Sequence, residues 1–215
     1  MKTVCLLLKA PRPGTVKTRL ARDIGPRKAA SIYRALVEHQ ARTIPEGWDV
    51  SVHFAPSDAQ MEMETWLKPL LLACPQFVPQ CDGDLGARLI HVVRTEFHRG
   101  LKRVFLIGGD CPGITRDYFA AADSHLDVSD VVIGPATDGG YVLLGLKAPY
   151  PVLFENIAWS TASVLDQTLA AARKISLSVA LLPVLEDIDD ADALKRQSEL
   201  GVISPMPHSA PRMGR

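Results

Sequence analysis

No excess of charge of either sign marks this sequence: 24 Lys and Arg residues are matched by 24 Asp and Glu, giving a formal net charge of zero. Nothing global therefore draws the chain onto nucleic acid or an anionic membrane, and any anionic ligand must be held by local groups. Long apolar runs are missing too. Only Thr3 to Leu8 separate Lys2 from Lys9, a run too short for a signal peptide or a membrane span. Cysteine is scarce: Cys5, Cys74, Cys81 and Cys111 form no C-x-x-C pair and no zinc set, and read as reduced thiols of a cytoplasmic protein. Cys111 has no His-Asn/Asp setting nearby and reads as a small packing residue. Neither G-x-x-x-x-G-K-[ST] nor G-x-G-x-x-G occurs, so neither a Walker loop nor a dinucleotide fingerprint is present. Internal repeats, heptads and domain linkers are absent as well. At 215 residues and 47% hydrophobic content the chain suits one α/β domain and would be cramped for two. We expect a single domain over 1–203 and a loose tail over 204–215, where prolines and arginines replace any apolar pattern.

What is present is an alternation of β-type and helical segments. Thr3 to Leu8, Trp48 to Phe54, Phe77 to Gln80, Val104 to Ile107, Asp130 to Pro135 and Ser178 to Pro183 read as strands, and Thr137-Asp-Gly-Gly reads as a hairpin turn opening another. Between them, Arg27 to Ile44 carries Ala29, Ile32, Tyr33, Leu36 and Val37 near the helical period. Further helices are expected from Ser57 or Asp58 to about Leu67, from Asp84 to Gly100, from Thr115 to about Leu126, after Ser160 or Thr161, and from Asp190 to about Leu200. Pro69 to Cys74 is apolar without a period, and His91 and His98 read as surface or core-edge residues. Such alternation predicts a three-layer α/β/α sandwich around a mostly parallel mixed sheet.

In open parallel sheets ligands bind outside the carboxyl ends of the strands. Four segments would gather there. The first strand ends in Lys9-Ala10-Pro11-Arg12-Pro-Gly14, with Lys17 and Arg19 following, a basic loop that is either solvated or a phosphate clamp. The uninterrupted run Val104 to Ile107 delivers Gly108, Gly109 and Asp110, either a plain turn or a site. Asp138, Gly139 and Gly140 form a second Asp-Gly-Gly element. Asp187 and Asp189 precede the last helix, with no capping role and with alternation placing both on one side. Separated carboxylates beside a basic loop are what a metal-bound diphosphate needs, Mg²⁺ or Mn²⁺ bridging the phosphate oxygens. Asp110 needs a partner, and Asp187 or Asp189 is the candidate. Asp84 is either a site residue or a helix cap, and Trp159 either core or a ring for a ligand to stack on.

The blocks Lys9 to Leu20, Gly83 to Leu89, Gly108 to Gly113, Asp138 to Tyr141, Ile157 to Thr161 and Asp187 to Asp189 together resemble one family. It is the small bacterial glycosyltransferase-like group, also called radical-SAM/selenodomain-associated transferases, within the nucleotide-diphospho-sugar transferase superfamily. The resemblance implies a GT-A fold, a nucleotide seated on the first loop, and a divalent ion held by Asp110 with Asp189. It implies a transferase moving sugar from a nucleotide-diphospho-sugar to a small acceptor: Lys9, Arg12, Lys17 and Arg19 on phosphates, Ala10 and Pro11 facing the base, and Asp138 meeting the sugar or activating the acceptor. A more distant similarity to molybdenum-cofactor and phospholactate guanylyltransferases implies the alternative, an NTP joined to a phosphorylated metabolite. A non-catalytic nucleotide-binding module is the third reading. Three positions depart from the family pattern: Gly109 replaces Ser or Thr, Asp190-Ala191 replaces Thr-Pro, and the first loop lacks the G-x-G of nucleotidyltransferases.

Overall fold

Val4, Leu6 and Leu8 alternate with Cys5 and Leu7 along the first strand, and a side-chain period of two sends the two sets to opposite faces of a sheet. Both faces are covered. The first set packs with Tyr33, Val37, Met63, Trp66 and Phe119, and the second with Leu89, Val92, Val93 and Ala172. A strand buried on both sides cannot show a polar alternation, which is why these segments read as continuous apolar runs.

The computed structural model describes residues 1–71 and 74–199. Residues 72–73 and 200–215, the expected tail among them, lie outside the described residues. The elements run β1 (Lys2–Lys9), α1 (Thr18–Ile24), α2 (Pro26–Thr43), β2 (Asp49–Ala55), α3 (Gln60–Leu67), β3 (Gln76–Pro79), α4 (Leu85–His98), β4 (Arg103–Ile107), α5 (Arg116–Val128), β5 (Val131–Pro135), β6 (Tyr141–Leu146), α6 (Val164–Lys174), β7 (Val179–Leu181) and α7 (Ala191–Glu199). The sheet order is β3-β2-β1-β4-β6-β5-β7, with β6 antiparallel to both neighbours and every other pair parallel. Helices α2, α3 and α5 pack on one face and α4 and α6 on the other, the expected three layers. The carboxyl ends of β1, β4 and β5 therefore share one edge.

Caps account for several boundaries. Asp84 Oδ1 accepts from Ala87 N at 2.8 Å, Thr115 Oγ1 from Tyr118 N at 3.2 Å and Asp190 Oδ1 from Ala193 N at 2.8 Å. Three segments differ from expectation. The first loop is shorter, because Leu20 packs under α2 with Ala29, Ile32 and Leu36 and draws Thr18–Ile24 into a helix. The last strand keeps only Val179–Leu181 of Ser178 to Pro183, since Pro183 has no N–H for a ladder. Helix α6 starts at Val164 rather than beside Ser160, because Leu165 N is already given to Gly139 O at 2.9 Å.

Under α4 lies a polar network that no sequence period announces. Glu96 is wholly buried, accepting from Ser51 Oγ at 2.7 Å and Arg99 Nη1 at 2.6 Å, with His53 Nε2 at 3.0 Å.

Candidate functional site

Because β1 and β4 are parallel neighbours, Lys9 and Gly108 to Asp110 leave the sheet side by side. The third contributor arrives from far along the chain. After β7, Leu185 N donates to Pro135 O at 3.0 Å and Ile188 N to Asp110 O at 3.0 Å, laying this segment across the edge. Ile188 is fully buried among Leu20, Ala29, Ile32 and Leu36. With that side chain anchored inward, its neighbours face the other way. One oxygen each of Asp110, Asp187 and Asp189 consequently lies within 4.8 Å of the others. The Asp187 carboxyl is pushed up to about 6 by burial and by the charges of Asp110, Asp189 and Asp138, with Lys17 acting in the opposite direction.

Lys17 closes this group. Its Nζ donates to Asp110 Oδ2 at 2.9 Å and to Asp189 Oδ1 at 2.6 Å, and its side chain is only 4% exposed. Burial alone would lower the ammonium pKa; the two carboxylates outweigh it, and the net shift is upward. The residue stands in the left-handed region, φ 46° and ψ 50°, which turns the chain from loop to α1. Arg19 reaches Asp189 at 3.7 Å from an exposed position. Tyr33, which sequence reasoning assigned only to the core, fixes the start of the loop: its hydroxyl accepts from Lys9 N at 3.0 Å and donates to Lys9 O at 3.2 Å.

Other members of the basic loop are placed differently. Arg12 pairs with Glu62 at 3.0 Å and Asp58 at 3.4 Å, away from the carboxylates. Ala10 is buried, its N–H bonded to Ala55 O at 2.8 Å, Pro11 is half-buried, and Gly14 is an exposed turn residue at φ +86°. Asp84 serves as the α4 cap. Asp138 Oδ1 accepts from Gly140 N at 2.8 Å, which orients the carboxylate over the hairpin turn. Gly139 sits at φ +88° against the Ala162 carbonyl, where a side chain has no room. Gly109 is similar: a Cβ there would overlap Val37 and come within 2.7 Å of Leu8. Trp159 is half-buried, edge-on to Tyr141 at 6.5 Å between centroids.

Three chambers open along this edge. The first, about 470 Å³, is lined by Lys9, Lys17, Arg19, Tyr33, Asp110 and Asp189. A second of about 310 Å³ holds Asp138, Asp187 and Trp159 and shares Leu7, Gly108 and Ser160 with the first. A third, about 690 Å³, reaches over the ends of β2 and β3 to Gln80 and Arg88 and shares Lys9 and Thr15 with the first. Cations and carboxylates thus meet in the central chamber, with separate space on either side. Three carboxylates converging on one point supply the oxygen donors a hard divalent cation takes.

Residues 38–161 match a family described as uncharacterized proteins conserved in bacteria, DUF2064. The chain belongs to this family. No curated protein matches the sequence. Among solved structures it is similar to a protein from Desulfovibrio desulfuricans G20 described as a candidate nucleotide-diphospho-sugar transferase, with 29% identity and a TM-score of 0.82 over 93% of this chain and 96% of that one. It shares its fold with a CMP:2-keto-3-deoxy-manno-octonic acid synthetase complexed with CTP, at 9% identity, TM-score 0.57 and coverage of 94% and 98%. The same holds for the manganese complex of Rv0371C from Mycobacterium tuberculosis H37Rv, at 14% identity, TM-score 0.54 and coverage of 93% and 99%. The fold is thus that of nucleotide-diphospho-sugar transferases, a mostly parallel seven-stranded sheet between helical layers.

Proposed function

We propose that the protein is a cytoplasmic, metal-dependent transferase that moves a sugar from a nucleotide-diphospho-sugar to a small acceptor. The observation that carries this reading is the meeting of Asp110, Asp187 and Asp189 with Lys17 at the carboxyl end of β4, beside the first loop. A diphosphate brings charge that this group can match from both sides: cations from Lys9, Lys17 and Arg19, and carboxylates able to hold Mg²⁺ or Mn²⁺. The ion supplies positive charge against the leaving diphosphate. Gly108 and Gly109 bring backbone to the central chamber without side chains in the way. In the transfer itself the acceptor oxygen bonds to the anomeric carbon as the bond from that carbon to the diphosphate breaks. The electron pair leaves with the diphosphate. The acceptor proton passes to Asp138, whose other oxygen is engaged by Gly140 N.

A titration of UDP-, GDP-, ADP- and CDP-sugars with and without Mn²⁺, read by thermal shift, tests this. At least one pair raises Tm by mass action, and Asp110→Asn abolishes the Mn²⁺-dependent part. No shift with any nucleotide-sugar overturns the reading.

The fold shared with a CTP-bound synthetase favours a second reading, nucleotidyl transfer from an NTP to a phosphorylated metabolite. The products separate the two: pyrophosphate for nucleotidyl transfer, a nucleoside diphosphate for glycosyl transfer.

A further inference from the structure

The second chamber has a different chemistry from the first. Its wall is formed by Leu7, Leu85, Leu89, Tyr141, Val142 and Trp159, and its carboxylates are Asp138 and Asp187. Thr161, which also lines it, is already committed: its hydroxyl donates to Ala158 O at 2.7 Å and contacts Ser163 Oγ at 2.8 Å. Leu85 is 43% exposed, an apolar side chain held towards solvent at the first turn of α4. Beyond Asp138, Asp187 and the Ser160 hydroxyl, a polyol entering this space would surrender the hydration of its remaining hydroxyls to an apolar wall. An apolar body loses nothing comparable and gains by leaving water. The shared wall of Leu7, Gly108 and Ser160 makes the chamber continuous with the phosphate-facing one, so what it holds adjoins the reacting centre.

We propose that this chamber receives the acceptor, and that the acceptor is an alcohol or phenol with an apolar, ring-sized body whose hydroxyl is presented to Asp138. This inference rests on the transferase reading above. The bond changes are those already given: the hydroxyl oxygen takes the anomeric carbon, its proton goes to Asp138, and the diphosphate departs with its electrons. A volume of about 310 Å³ suits one ring-sized group.

The test is calorimetric titration of 2-naphthol and of myo-inositol into the full chain, wild type and the variants Leu85→Gln and Trp159→Ala, with MnCl₂ titrated separately into each. The half-exposed Leu85 tolerates a polar replacement without loss of core. 2-Naphthol is expected to bind at least about tenfold more tightly than myo-inositol, and each variant to weaken it by about tenfold while Mn²⁺ binding stays unchanged. Myo-inositol binding as tightly as 2-naphthol, or 2-naphthol binding unaffected by both variants, overturns the proposal. Failure of the transferase reading has its own signature, no nucleotide-sugar binding with or without Mn²⁺, and leaves the ring selectivity to be measured independently.

Discussion

Lys17 combines a left-handed backbone, a nearly sealed ammonium and two carboxylate partners. A non-glycine residue in that region costs on the order of 1 kcal/mol, so its partners hold it there. A divalent cation and the ammonium are alternative partners for Asp110 and Asp189. Lys17→Met is therefore expected to tighten the binding of Mn²⁺ alone by roughly threefold to tenfold, and to weaken nucleoside diphosphate binding in saturating Mn²⁺ by about tenfold or more. Calorimetry with each ligand decides it; weaker Mn²⁺ binding in the variant would mean that the ammonium supports the ion site. Gly109 is constrained in another way. Val37 and Leu8 occupy the space a Cβ there would need. Gly109→Ser should cost about 1–3 kcal/mol by overpacking, lowering Tm by roughly 3–10 °C in scanning calorimetry. An unchanged Tm would show that the two neighbours yield.

Among elements, α4 carries the most consequential buried charge. Burial pushes the Glu96 carboxyl up, but hydrogen bonds from His53 and Ser51 and the charge of Arg99 outweigh it, and the net shift is downward. A depressed carboxyl contributes stability above its unfolded pKa of about 4.3 and loses it as pH falls through the lower folded value. Glu96→Gln should cost about 2–3 kcal/mol at pH 7, and the gap between wild type and variant should narrow below about pH 4 in urea titrations. A gap constant across that range would mean that the carboxyl titrates alike in the folded and unfolded states. Strands β1 and β4 were readable because burial on both faces leaves an unbroken apolar run, and α4, α5 and α7 because Asp84, Thr115 and Asp190 are chemically suited caps. Helix α1 was not: its seven residues start at a strained lysine and owe their helicity to packing beneath α2. The pairing of Arg12 with Glu62 and Asp58 was equally hidden, since it depends on how α3 folds back over the first loop.

At the scale of the whole molecule, the edge that gathers the candidate site was legible, since Lys9 to Leu20, Gly108 to Gly113 and Asp187 to Asp189 follow the strands β1, β4 and β7. The carboxylate trio was legible in its membership. Its closure by Lys17 was not, because that contact joins residues 172 positions apart and only the sheet order brings them together. Nor does spacing reveal how the cleft divides, since Leu7, Gly108 and Ser160 come from three distant segments.

That common wall has a practical meaning. A synthetic compound joining an aromatic ring to a diphosphate through a short tether would occupy both sides of Gly108 at once. Its second contact would form at the high effective concentration set by the tether, so it should bind far more tightly than either half.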